Sequence, residues 1–344
     1  MGEAVRVGVL GTGQMGSAIV ELLLDKPGLE LVGAYARRRE RAGVDLGLAL
    51  GHAEALGLPI AGDLDDLLDR ARPAVAIQAT CSRLTEAEPE VVACLARGTH
   101  VISIAEEMTW PAASSPECAA RLDALARETG AVAIGTGVNP GFVLDTLVAT
   151  LTGVCARVDE IRARRVNDLA PYGPTVLRSQ GVGLLPETFD AAVADGTVVG
   201  HVGFRESIAM IAAALGWGIE RVEERREPIV SSVRRVTPHA VVEPGQVAGC
   251  LHTAVGYVAG RAAVRFEHPQ QIRPEAEGVL TEDTIEIRGR PHVRLSGSPE
   301  IPGGVATAAL AVNLVPRVLA AAPGLRSMID LPAPAALPGG PARG

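Results

Sequence analysis

At 344 residues, 47% of them hydrophobic and 3% aromatic, the chain has apolar mass for about two domains, with cores built from Ala, Val and Leu. A net charge of −8 argues against the basic, aromatic-studded surface that nucleic acid needs. No apolar run approaches the ~18 residues of a membrane span and no secretory signal is evident, so a cytoplasmic protein with neither nucleic-acid nor membrane partners is expected.

Residues 5–16, VRVGVLGTGQMG, read as a short buried strand turning into a helix on Gly11, Gly13 and Gly16. In a G-x-G-x-x-G loop the first glycine permits the tight turn. The second lets backbone approach a pyrophosphate, and the third lets the helix pack against the strand. Phosphates then rest on the unpaired N–H groups of the helix N-terminus. Gly11, Thr12, Gly13, Gln14, Met15 and Gly16 are the expected dinucleotide contacts. Lys26 is the only lysine among 32 cationic side chains. It precedes Pro27 at what reads as a surface corner, which argues against lysine-based catalysis.

Residues 29–36 form the second expected strand. A site for NAD usually carries Asp or Glu at its end, on the ribose hydroxyls. Here Ala36 is followed by Arg37, Arg38 and Arg39, cations suited to a 2′-phosphate. The pattern favours NADP, with NAD possible. Residues 63–69 begin a helix, and 74–79 are a buried strand. Thr80, Cys81, Ser82 and Arg83 follow at the carboxyl edge of the sheet, where ligands bind in such folds, and Thr80 and Cys81 join the expected cofactor contacts. A helix over 89–97, a strand over 99–104, a helix over 118–129 and a strand over 131–134 complete a parallel βαβ alternation.

Residues 135–142, GTGVNPGF, break that rhythm and are read as the domain junction, so the first domain spans 1–137. Residues 143–151 read as helix and 158–166 as a strand with one wet face. Further strands are expected at 228–237, 245–255, 261–268, 283–288 and 292–296, with helices at 186–195 and 204–215. This describes a second, α+β domain over 138–302 with a mainly antiparallel sheet. A last apolar helix, 305–320, within a segment 303–331, is expected to pack back on earlier structure, and the Pro/Gly/Ala-rich tail 332–344 to be disordered.

Three clusters could carry chemistry. Glu106 and Glu107 follow a buried strand. A carboxylate there suits a general base that also steadies a developing cation, and it equally suits the start of a helix. Asn139, in the junction, could hold the chain or a nicotinamide amide. Arg165, Asn167, Tyr172 and His201 are polar groups in or beside Gly/Pro-rich loops, where binding residues often lie. The cysteines Cys81, Cys94, Cys118, Cys155 and Cys250 include no C-x-x-C, and no histidines fall at H-x-H or H-x-x-x-H spacing. No metal site is expected.

Four segments carry a resemblance: VGVLGTGQMGS, VISIAEEMTWP, GTGVNPGFVLDTL and QGVGLLPETFDAAVADGTVVGHVGFRESIAMIAAALGW. Together they resemble the 2,4-diaminopentanoate dehydrogenase family, and within it the native NAD(P)H-dependent amine dehydrogenases. The resemblance implies a Rossmann domain, a substrate and dimerisation domain like that of dihydrodipicolinate reductases, and a homodimer with its active site in the interdomain cleft. Dihydrodipicolinate reductase itself is disfavoured, because its histidine pair and lysine segment are absent. By the same resemblance the catalytic glutamate is Glu106 or Glu107, with Glu106 preferred. Arg165, Asn167, Tyr172 and His201 then line the substrate pocket, and Val138, Phe142, Val143 and Thr146 form its apolar walls.

The implied activity is NADPH-dependent reductive amination of small aldehydes or ketones with ammonia, and the reverse oxidative deamination. A true 2,4-diaminopentanoate dehydrogenase is the alternative enzyme. An NADP-binding sensor without turnover is the alternative of another class.

Overall fold

Strand β1 (Val5–Leu10) is buried over its last four residues, because it lies inside a sheet with strands on both edges. The chain runs from it through α1 (Gln14–Leu24), β2 (Leu29–Tyr35), the short helix α2 (Leu46–Leu50), α3 (Leu64–Ala71), β3 (Val75–Gln78), α4 (Leu84–Leu95), β4 (His100–Ser103), α5 (Pro116–Thr129) and β5 (Val132–Gly135). Every pairing of β1 to β5 is parallel. Strands β3 and β5 are buried at every residue, as a sheet covered by crossover helices requires. The computed structural model describes residues 3–339. They fall into two compact units, one running to Phe142 and resuming at Pro302, the other Val143–Ile301.

The second unit opens with α6 (Thr146–Thr152) and β6 (Arg157–Asp168). The helices α7 (Pro174–Ser179), α8 (Pro186–Ala194) and α9 (Phe204–Leu215) follow. Then come β7 (Arg221–Val230), β8 (Arg235–Val236), β9 (Val241–Val242), β10 (Val247–Val258), β11 (Arg261–Gln271), β12 (Glu282–Arg290) and β13 (Val293–Gly297). Six of these strands form one sheet in the order β13-β12-β6-β11-β10-β7. All neighbours are antiparallel except β6 and β11. Burial alternates along β7, the pattern of a strand with one wet face.

The chain then returns to the first unit. Helix α10 (Gly303–Asn313) packs on α1, and after α11 (Val315–Leu319) a short β14 (Gly324–Arg326) adds to β5 in parallel. The first sheet thus has the order β14-β5-β4-β3-β1-β2. The architecture is α/β, a Rossmann-type sheet with a second mixed-sheet unit.

Several elements differ from the sequence expectation. A single helix over 305–320 is interrupted at Leu314, because Pro316 has no N–H to continue the ladder and instead starts α11. The strand expected at 228–237 begins earlier, at Arg221, and leaves the sheet after Val230. The fully buried Arg235 guanidinium pulls the following turn inward, donating to Ser231 Oγ at 2.7 Å, Gln271 Oε1 at 2.8 Å and the Ile272 carbonyl at 2.7 Å. Lys26 is not at an exposed corner. Its side chain is 12% exposed beside Asp25 and donates to the Leu337 carbonyl at 3.3 Å. Part of the segment expected to be disordered is therefore ordered: Leu337 N also donates to Asn313 Oδ1 at 3.0 Å. Residues 340–344 lie outside the described residues. Among the described residues no helix is long and apolar enough to cross a membrane, and no cluster of His, Cys, Asp and Glu is arranged to hold a metal ion.

Candidate active site

The three glycines of the loop answer to different constraints. Gly11 has φ +110, and a Cβ there would lie 2.5 Å from the Ala79 carbonyl oxygen. A Cβ on Gly16 would lie 1.9 Å from the Gly11 carbonyl oxygen, so this residue closes α1 against the loop. Gly13, by contrast, faces open space, with nothing within 4 Å of an added Cβ. It is the N-cap of α1 and supplies no side-chain acceptor, which leaves the first N–H groups of the helix for an anion. A cleft opens there, lined by Gly11, Thr12, Gly13, Ala36, Arg37, Arg38, Arg41, Ala79 and Thr80. Bare glycine backbone, free helical N–H groups and guanidinium groups fit a dinucleotide.

Of the expected cofactor contacts, Gly11, Thr12, Gly13, Arg37, Arg38 and Thr80 line this cleft. Gln14, Met15, Gly16, Arg39, Cys81 and Asn139 are not among its lining residues. Arg41 lines it instead of Arg39, because Arg39–Arg41 forms a single helical turn; it also donates to the Thr12 carbonyl at 3.3 Å. Arg37 is engaged within the protein. Its Nε lies 2.7 Å from Glu90 Oε1, and its Nη2 donates to the Glu86 carbonyl at 2.7 Å. Glu90, 5% exposed, also accepts from the Thr80 hydroxyl at 2.5 Å and from Gln78 Nε2 at 3.2 Å.

The adjacent glutamates after β4 have separate surroundings. Glu107 accepts from Arg83 Nη1 at 2.7 Å and from the Leu84 backbone N–H at 2.7 Å. It thereby closes the N-terminus of α4, where a negative charge also meets the positive end of the helix. Glu106 is half-buried and meets its own backbone N–H and the Ser82 hydroxyl. Burial pushes its carboxyl above the ordinary glutamate value, outweighing these hydrogen bonds and the nearby Arg83. A weaker acid of this kind is a better base near neutral pH.

In the segment after β5, Gly137 and Gly141 pack tightly. A Cβ on Gly137 would meet the Pro140 carbonyl oxygen at 2.8 Å, and Gly141 has φ +121. Val138 is 6% exposed, and its N–H donates to Thr307 Oγ1 at 3.1 Å. Phe142 is half-buried. Among the described residues, the buried side-chain polar atoms with no hydrogen-bond partner are Thr136 Oγ1 and both amide atoms of Asn139 in this unit, and Asn167 Oδ1 and His201 Nε2 in the second. Buried polar groups are nearly always paired, so a ligand or an ordered water has to complete the bonding at these atoms.

In the second unit, Arg165 on β6 stands directly opposite Asp283 on β12. The pair is buried. Arg165 Nη1 lies 2.6 and 2.8 Å from the Asp283 carboxylate oxygens, and Nη2 donates to the Ile301 carbonyl at 2.5 Å. His268 donates its Nδ1–H to the Arg165 carbonyl at 2.7 Å. The His201 ring stands edge-on to His268 with centroids 5.1 Å apart. His252 Nδ1 accepts from the His201 backbone N–H at 2.9 Å, which leaves its Nε2–H to donate to Glu224 at 3.1 Å. Burial keeps all three imidazoles neutral: it drives His201 well below its ordinary value, lowers His252, and brings His268 to about 3. Tyr172 packs on the cluster of Leu169, Leu177, Val242, Ala248 and Ile272. Val143 and Thr146 are buried, and the Thr146 hydroxyl lies 3.6 Å from Met210 Sδ.

Sequence reading missed Thr136, Arg41 and Glu90. Thr136 carried a signal, since it belongs to the turn-rich junction. Arg41 and Glu90 carried none, because their positions depend on how a one-turn helix and α4 are placed.

A parallel sheet entered through a glycine loop, with a cationic cleft at its carboxyl edge, defines a Rossmann-type dehydrogenase that takes a nicotinamide cofactor. Residues 142–343 match the 2,4-diaminopentanoate dehydrogenase C-terminal domain, and residues 5–105 match the dihydrodipicolinate reductase N-terminus. The chain is 41% identical to a 2,4-diaminopentanoate dehydrogenase of Acetoanaerobium sticklandii, over 98% of this chain and 96% of that protein. It is 26% identical to an amine dehydrogenase of Streptomyces virginiae, over 94% and 95% of the two chains. The structure of an amine dehydrogenase from Mycobacterium smegmatis matches with a TM-score of 0.85 at 30% identity, covering 95% of this chain and 96% of that one. The chain belongs to the 2,4-diaminopentanoate dehydrogenase family and is an oxidoreductase of the amine dehydrogenase class, which acts on CH–NH2 groups.

Proposed function

We propose that this chain is an NADP-dependent amine dehydrogenase that converts small aldehydes or ketones and ammonia to amines, and runs the reverse deamination, with Glu106 as its catalytic carboxylate. The observation that carries this reading is the division of labour between the two glutamates. Glu107 is taken up by Arg83 and the α4 N-terminus, whereas Glu106 stays half-buried with its acid strength reduced by burial. Bound nicotinamide supplies the hydride in one direction and accepts it in the other. Glu106 takes the proton that ammonium must lose before nitrogen attacks the carbonyl carbon. Glu106 then returns that proton to the carbinolamine hydroxyl, which leaves as water, and the carboxylate so restored faces the iminium cation and steadies it by charge. In a water-poor surrounding that attraction strengthens.

The orphaned amide of Asn139 supports a cofactor carboxamide as its partner, because one amide offers a donor and an acceptor to the other. Val138 and Phe142 supply apolar surface in the same unit. In the second unit, Asn167 Oδ1 and His201 Nε2 are the unpaired groups available to a substrate, with Arg165 and Tyr172 nearby in that unit. Arg38 and the absence of a carboxylate directly at the end of β2 support NADP over NAD. A homodimer is part of the same proposal and is read by light scattering.

The test follows NADPH consumption with a short aldehyde or ketone. Turnover should require ammonia, and Glu106→Gln should lower kcat by about 100-fold or more, the usual scale of a lost general base. Turnover without ammonia, or a Glu106→Gln enzyme at full rate, overturns the proposal. A second reading takes 2,4-diaminopentanoate as substrate, favoured by the 41% identical relative of that name. Its carboxylate needs a cation, and Arg165 already faces Asp283. Comparing kcat/KM on 2,4-diaminopentanoate and on simple amines separates the two.

A further inference from the structure

Three arginines border the nucleotide cleft, and they are not equivalent. Arg37 is tied to Glu90 through Nε at 2.7 Å and to the Glu86 carboxylate through Nη1 at 3.4 Å. Its Nη2 also holds the Glu86 carbonyl. Glu90 is a buried acid whose other donors are the neutral Thr80 and Gln78. Swinging Arg37 toward a phosphate would leave the Glu90 charge inside the protein without a cation, which is far more costly than losing a surface pair. Arg38 and Arg41 enter no ion pair among the described residues, and both line the cleft. Arg41 is anchored to the glycine loop itself through the Thr12 carbonyl.

We propose that Glu90 sets cofactor selectivity: it clamps Arg37 as a wall of the adenosine site and leaves the 2′-phosphate to Arg38 and Arg41. The inference rests on the NADP reading above. Two consequences follow from the charges. Arg37, although it comes first after β2, does not itself hold the 2′-phosphate. The Glu86 and Glu90 carboxylates offset part of the positive field at this edge, so the preference for the phosphorylated cofactor is held below what three free guanidinium groups would give. Removing the Glu90 charge would release Arg37 and strengthen the grip on the extra phosphate.

The experiment measures Kd for NADPH and NADH on the full chain, at one ionic strength, by quenching of protein fluorescence or by calorimetry. A lost charge-assisted hydrogen bond corresponds to about tenfold in affinity, so Arg41→Ala and Arg38→Ala should each weaken NADPH by about that factor and NADH by less than about twofold. Arg37→Ala uncovers the Glu86 and Glu90 carboxylates, so it should lower the NADPH/NADH ratio by about threefold, the converse of removing the Glu90 charge, and by clearly less than Arg41→Ala does. Glu90→Gln keeps the shape of the side chain; with its amide oxygen on Thr80 and Gln78, its NH2 no longer accepts from Arg37, and the ratio should move toward NADPH by about threefold or more. The proposal is overturned if Arg37→Ala costs NADPH as much as Arg41→Ala does, or if Glu90→Gln leaves the ratio unchanged. Should Glu90→Gln fail to fold, the exposed Glu86→Gln loosens the same clamp and must shift the ratio in the same direction. A wild-type ratio near one would overturn the NADP reading alone; the shift produced by Glu90→Gln then still decides for or against the clamp.

Discussion

Gly13 and Gly16 lie three residues apart in one motif, yet a methyl group on each meets a different world. On Gly16 it would sit 1.9 Å from the Gly11 carbonyl oxygen, and α1 would have to move off the loop. Gly16→Ala should therefore cost about 3 kcal/mol or more of stability, seen as a lowered denaturation midpoint without any ligand. On Gly13 the methyl meets no protein atom. Gly13→Ala should keep the wild-type midpoint and lose nucleotide affinity, because the space it fills is the ligand's. Equal losses of stability in both variants would refute this division.

Glu106 makes a second prediction at the same scale. Burial raises its pKa in the folded protein, so the acid limb of kcat/KM for amine oxidation should lie above the ordinary glutamate value of 4.5. The stability sign is opposite to that of a salt-bridged acid. A raised carboxyl binds its proton more tightly folded than unfolded, so it detracts from stability as pH rises through that window, and the cost is fully present above it. Glu106→Gln should thus remove turnover while leaving the thermal midpoint at pH 7 unchanged or higher. A marked fall in midpoint would mean that the carboxylate is structural.

At the scale of elements, α4 decides which glutamate is taken up at a helix end. The sequence places a helix at 89–97, on the assumption that Pro89 starts it. The helix instead begins at Leu84 and carries Pro89 inside, with the Glu107 carboxylate accepting the Leu84 N–H at its entrance. Two adjacent glutamates have the same chemistry in a sequence, and no spacing rule separates them. Glu107→Ala should cost about 1–2 kcal/mol, the range of a lost helix cap, and leave the ammonia-dependent rate within a few-fold of wild type. Chemical denaturation and initial rates on the same preparation would check both halves.

The arginines show the same limit. The absence of a carboxylate directly at the end of β2 is plain in the sequence. That Arg41 and not Arg39 borders the cleft, and that Arg37 belongs to Glu90, depends on a one-turn helix and on a side chain 53 residues away.

At the scale of the molecule, pH stability gathers several buried groups of the second unit. His201, His252 and His268 are all depressed by burial, His268 to about 3. Each binds its proton more weakly in the folded chain than in the unfolded one, so stability is lost as pH falls below 6.5. Glu224 adds to this lower down. Burial alone would raise its carboxyl, yet hydrogen bonds from His252 and Arg205 outweigh it and hold it at about 2. Its contribution is present above pH 4.5 and is lost between there and about 2. Thermal midpoints should fall already between pH 7 and 5, then more steeply below. A midpoint flat from pH 7 to 5 would contradict the buried neutral imidazoles.

The sequence by itself determined the parallel sheet with its glycine loop, apolar helical chain near the C-terminus, a second sheet that is mainly antiparallel, and the family. All of these rest on local signals: period-two and continuous apolar runs, turn glycines, and motifs read within ten or so residues. Only the tertiary structure decided which polar groups are left unpaired, which glutamate closes a helix end and which arginine is already bound. Those are questions of what a side chain meets after burial, and the partners, Glu90 for Arg37, Arg83 and Leu84 for Glu107, Asp283 for Arg165, come from elements far apart in the chain.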